Sequence, residues 1–146
     1  MDRRPFGTDG LVTRVERRFL QIIVCAVSLV PIVAGLVGLL LGPRALGANQ
    51  AQPIDFDSHF RYLSGLLLAI GCGYLSTVPR IERHSGRFIF LTLIVVAGGG
   101  GRFLDVMVRG VPSMASVGAL LLELLVAPIL ALWATRVAHR AANITD

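Results

Sequence analysis

Apolar and polar positions along this chain fall in long blocks rather than at a short period. Phe19 to Leu41 is a 23-residue run without a charge. About 20 such residues are enough to cross the hydrocarbon core of a bilayer. Three further runs, at about 60–78, 88–108 and 116–133, are nearly as apolar. They are punctuated by Pro79 and by the turn Arg109-Gly110-Val111-Pro112-Ser113. Helices satisfy their own backbone groups inside lipid, so the pattern predicts an all-α chain, a transmembrane four-helix bundle over residues 19–137. A signal peptide is the competing reading of the first run. Its apolar part would be about 7–15 residues, followed directly by a small-residue cleavage site. Here the run is longer and Gly42-Pro43-Arg44 intervenes before Ala45-Leu46-Gly47, so an uncleaved helix is expected.

The flanks are polar. Residues 1–18 carry five arginines, and Leu11, Val15 and Phe19 recur at helical spacing near the end of that stretch. Two readings stay open: a short interfacial helix or a partly ordered basic tail. Residues 43–59 read as the longest loop, with Asp55 and Asp57, and are expected to carry surface features. A short basic loop holds Arg80, Arg83, His84 and Arg87, and residues 138–146 form a short tail.

Composition strengthens the membrane reading. Hydrophobic residues make up 54% of the 146 residues and charged ones 16%, against about 25% charged in soluble domains. All 14 basic residues are arginine, for a net charge of +5. They stand at the ends of apolar runs, which suits topology and anchoring better than a nucleic-acid groove, and no nucleic-acid partner is expected. Arginines number ten on one side (five in the N-terminal tail, Arg80, Arg83, Arg87, Arg136 and Arg140). The other side has three: Arg44, Arg61 and Arg109. That imbalance predicts both termini in the cytoplasm, with Trp133 as an interfacial anchor. Asn143-Ile144-Thr145 matches a glycosylation pattern but falls on the cytoplasmic side. Cys25 and Cys72 lie inside apolar runs and have no metal-site spacing.

Small residues suggest how the helices meet, because lipid is as apolar as Leu and packing must supply the attraction. Ala34, Gly38 and Gly42 recur every fourth position, as do Gly65, Ala69 and Gly73, so these are expected to form the contact between the first two helices. Gly98-Gly99-Gly100-Gly101 in the third run is weak for a helix, by roughly 1 kcal/mol per glycine. Gly98 and Gly101 are expected either to make room for a neighbour or to mark a loosened turn. A phosphate cradle is not expected there without a P-loop lysine.

Four ionisable residues fall within the spans: Arg61, Arg102, Asp105 and Glu123. At 1.5 Å per residue, Arg102 and Glu123 lie at matching depths of roughly 9 and 10 Å. An unpaired charge there costs about 2.5–3.5 kcal/mol or more. The expectation is a polar cluster with Arg102 paired to Glu123, Arg61 paired to Asp105 or Glu123, and Tyr62 or Tyr74 as hydroxyl partners. The cluster reads equally as a ligand or docking site and as a lock on helix register.

These residues, taken with their order, resemble a known family. Arg61-Tyr62-Leu63-x-Gly65, Gly100-Gly101-Arg102, Gly110-Val111-Pro112 and Glu123 with Pro128 are similar to a family of small bacterial four-helix membrane proteins catalogued as a domain of unknown function. The resemblance covers about residues 19–137 and implies a four-span inner-membrane protein, with no activity attached. The basic extension at 1–18 exceeds its pattern.

Enzyme chemistry is not expected. His59, His84 and His139 all fall outside the spans, which argues against a haem or Glu-x-x-His di-iron centre, and no cofactor or metal is predicted. No partner group for acid–base work accompanies Glu123. The reading is an accessory subunit, assembly factor or small-ligand-binding protein of a membrane complex, partnered by the bilayer and by other subunits or itself. The alternative is a small oligomeric transporter or channel using Arg102 and Glu123, although four spans are few and no inverted repeat is visible.

Overall fold

The computed structural model describes residues 8–48, 50, 52–111 and 113–142, with side chains from residue 14 onward. Arg3, Arg4, Pro112, the Asn143-Ile144-Thr145 triplet and the Leu11 side chain lie outside the described residues. The chain is all-α, with no strand among the described residues. Four helices are long and apolar enough to cross a membrane. They are α1 (Thr8–Leu41), α2 (Ile54–Thr77), α3 (Ser85–Arg109) and α4 (Met114–Ala142).

Each helix overruns its apolar run. Nothing after Gly10 breaks a helix before Phe19, so the basic segment enters α1 directly and forms neither a separate interfacial helix nor a loose tail from Thr8 on. Likewise, only part of the 43–59 stretch is loop. A 3₁₀ turn covers Gly42–Leu46, and α2 starts at Ile54. Glycine is required at the ends of α1 and α3: Gly42 and Gly110 have φ of 61° and 91°, a region side chains rarely adopt.

Contacts divide the chain into two compact units. The first joins α1 up to Ile22 with the chain from Pro79 onward; the second is Ile23–Val78. In the first unit, Leu20, Ile81, Phe88, Ala134 and Val137 are fully or almost fully buried. Large apolar side chains elsewhere point outward, among them Phe90 at 63% and Leu132 at 72% exposure. Such surface needs an apolar solvent, and a bilayer provides it.

The second unit is an antiparallel contact of α1 with α2, carried by backbone proximity. A Cβ on Gly35 would come within 2.5 Å of the Leu68 nitrogen and 2.7 Å of the Ser64 carbonyl. One on Gly38 would strike the Ser64 hydroxyl, and one on Gly71 would lie 2.6 Å from Ile32 Cγ1. The contact residues on the α1 side are therefore Ile32, Gly35 and Gly38, with Gly42 of the following turn, and those of α2 are Asp57, Arg61, Ser64, Leu68 and Gly71. Ala34 and Ala69 are exposed, Gly73 is only half-buried, and Gly65 just reaches Leu39 at 4.0 Å. The expected stripes thus hold at Gly38 and Gly42, only brush the contact at Gly65, and miss it at Ala34 and Ala69. A strict four-residue step drifts about 40° per step around a 3.6-residue helix, whereas alternating steps of three and four stay on one face.

Candidate functional site

Arg102 and Glu123 come from α3 and α4 of the first unit. α3 runs unbroken through all four glycines. Inside lipid an open turn would leave backbone groups unpaired, which outweighs the weak helix propensity of glycine. Gly99 is the one that packing demands. A Cβ there would sit 2.8 Å from Leu124 Cδ2 and 2.9 Å from Glu123 Cβ, so its absence lets α4 approach at the level of the acid. Gly98, Gly100 and Gly101 face open space, with nothing within 4 Å of a would-be Cβ. Among the described residues, Gly98 and Gly101 therefore make no packing contact.

The irregularity lies in α4 instead. Leu122–Val126 forms a π turn, closed by the Ala127 N–H donating to the Leu122 carbonyl five residues back. Pro128 accounts for it. Proline lacks an N–H, and its ring crowds the carbonyl four residues earlier, so a wider turn relieves the strain. Glu123 sits in this turn.

There the Arg102 guanidinium grips the carboxylate with two bonds, Nε to Oε2 at 3.1 Å and Nη2 to Oε1 at 3.2 Å. This two-pronged geometry is the strong form of the Arg–carboxylate contact. Glu123 is 19% exposed, while Arg102 is 41% exposed. Arg102 Nη1 has no hydrogen-bond partner among the described residues.

Asp105 pairs elsewhere on α3, and Arg61 has partners within its own unit. Its Nε donates to Asp57 Oδ2 at 2.9 Å, and its Nη1 donates to the carbonyls of Leu39 and Leu40 at 2.6 and 3.0 Å. Those carbonyls belong to the last turn of α1, which has no helical partners for them, so a cation there satisfies both orphan groups and dipole. Asp105 pairs with Arg109 one turn along α3, at 3.0 Å and largely exposed. The Tyr62 ring lies 6.3 Å from that of His59.

A second charged constellation was not foreseen. Glu16 accepts from Trp133 Nε1 at 3.0 Å and from Arg140 Nη1 at 2.6 Å. Arg17 pairs with Glu82 at 3.3 Å, and Phe19 lies against Trp133 at 6.0 Å. Trp133 is thus tied to α1 as well as suited to an interface. The available signal was a lone acid inside Arg14-Val15-Glu16-Arg17-Arg18, on the face shared with Leu20.

Comparison with known families decides the affiliation. The model of a domain of unknown function, DUF4345, matches residues 19–134. The chain belongs to that family. A domain-of-unknown-function family was what the motifs led us to expect. The DUF4345 match takes in Arg61, Arg102, Asp105 and Glu123, whereas Glu16 and Arg140 fall outside it. No curated protein and no solved structure matches the chain.

Proposed function

We propose that this protein is a non-catalytic accessory subunit or assembly factor of a bacterial inner-membrane complex, with both termini cytoplasmic. Its docking face is the outward side of α3. The observation that carries this reading is the open glycine surface at Gly98 and Gly101 beside a half-exposed arginine. Glycine weakens a helix, and among the described residues nothing packs on these two. In membranes, small residues serve close approach by another helix. Arg102 at that depth has a donor to spare, and lipid tails offer no acceptor. A neighbouring helix with a carbonyl, hydroxyl or carboxylate at this level would meet both needs.

Support for a non-catalytic role comes from the acids. Glu123, Asp105 and Asp57 are each engaged by an arginine, which leaves none poised as a base. A carrier reading of the same pair draws less support, because Glu123 gives both oxygens to Arg102. The test is purification in mild detergent at native expression. Wild type is expected to bring down a stoichiometric membrane partner, and Gly98→Leu with Gly101→Leu to lose it at unchanged helix content. A lone wild-type monomer would end the proposal.

A further inference from the structure

The connection between α1 and α2 borders a half-open pocket of about 430 Å³, a volume within the ~300–1,000 Å³ common for small-ligand sites. Its polar wall includes Arg44, Gln52, Asp57 and Arg61, and its apolar wall Leu41 and Ile54. Arg61 is held in place: Asp57 fixes Nε and two α1 carbonyls fix Nη1, while Nη2 has no hydrogen-bond partner among the described residues. Arg44, in the 3₁₀ turn after α1, has an exposed side chain with no partner among the described residues. Asp57 is the one carboxylate on the wall, so two guanidiniums against one carboxylate leave a single net positive charge.

The surroundings are apolar. Leu40, Leu46 and Ile54 are 66%, 77% and 86% exposed. A cationic pocket at the edge of an apolar belt suits an amphiphile whose charged group enters while its chains lie along the helices. We propose that this pocket binds a phosphate group, carried by an anionic phospholipid head group or supplied as free phosphate. The planar fork of arginine matches phosphate oxygens in pairs. Arg61 is pre-positioned by the fold, Arg44 closes on the ligand, and the Gln52 amide adds a donor. The site is independent of the α3 face.

The test uses the full-length protein in detergent with three probes: phosphatidylglycerol, phosphatidylcholine and inorganic phosphate. Native mass spectrometry reads retained lipid, and phosphorus NMR line broadening reads free phosphate. Phosphatidylglycerol retained over phosphatidylcholine assigns the site to a lipid head group; broadening of inorganic phosphate alone assigns it to the free ion. In either case Arg44→Ala is expected to weaken binding about tenfold, the size of one charge-assisted contact. Arg136→Ala, which removes an exposed arginine of α4, is expected to leave it unchanged. Circular dichroism confirms that Arg44→Ala keeps its helix content, since the side chain holds nothing in the fold. Binding of neither probe, or binding equal in wild type and Arg44→Ala, overturns the proposal.

Discussion

At the scale of single residues, the Arg102–Glu123 pair is the least replaceable feature one partner at a time. Removing Glu123 leaves a guanidinium at depth with no counter-charge, and removing Arg102 strands a carboxylate. Each of Arg102→Met and Glu123→Leu is expected to cost about 2–3 kcal/mol, on the scale of an unpaired charge in the membrane interior. The double variant is expected to recover most of that loss, because apolar replacement of a whole buried pair is often neutral. Thermal unfolding in detergent of the two singles and the double checks this. A double variant as damaged as the sum of the singles would mean that the pair does more than cancel its own charge. The pairing itself was legible from equal depth on adjacent helices. The partners of Arg61 were not: a depth estimate counts side-chain acceptors and overlooks the orphan carbonyls of a helix end, two of which accept from Arg61 here.

At the scale of elements, the α1–α2 contact depends on which glycine faces which backbone. Gly35→Ala forces a methyl against the Leu68 amide and the Ser64 carbonyl, atoms that cannot move without shifting a helix. An overpacking cost of about 1–3 kcal/mol is expected. Gly65→Ala, with only Leu39 at the limit of contact, is expected to be neutral or slightly stabilising. Comparing the two melting temperatures tests the register directly; equal effects would contradict it. All four apolar helices could be read from hydropathy, since lipid demands long uncharged runs. The contact face was legible only in part, because Gly38 and Gly42 fit both a four-residue step and the observed alternation, whereas Gly35 and Gly71 fit only the latter. The π turn was likewise hidden. Pro128 announces a disturbed helix but not whether it bends, kinks or widens.

At the scale of the whole molecule, four membrane-length helices are an even number, and the proposed orientation has both ends in the cytoplasm, on the side richer in arginine. Fluorescent-protein fusions at the C-terminus are expected to glow in bacteria, and a periplasm-active phosphatase inserted near Arg44 is expected to be active. The reverse pattern would overturn the proposed orientation. Hydropathy also could not reveal that Glu16 joins Trp133 and Arg140. That link spans almost the full length of the chain, and the one local mark is an acid standing alone among arginines.

The widened turn at Leu122–Val126 has a consequence for chain length. A π turn accommodates one residue more than an α-helix of the same rise, so α4 carries a spare residue beside its acid. Deleting one position there, such as the exposed Leu125, would let the helix rewind to ordinary pitch while Leu130, Ala134 and Val137 keep their phase toward the core. Deleting one position from the α-helical stretch before the turn, Met114–Leu121, without that rewinding would swing the whole trio about 100° away. Tolerance to shortening should therefore be confined to this turn, and the residue most sensitive to it is Glu123.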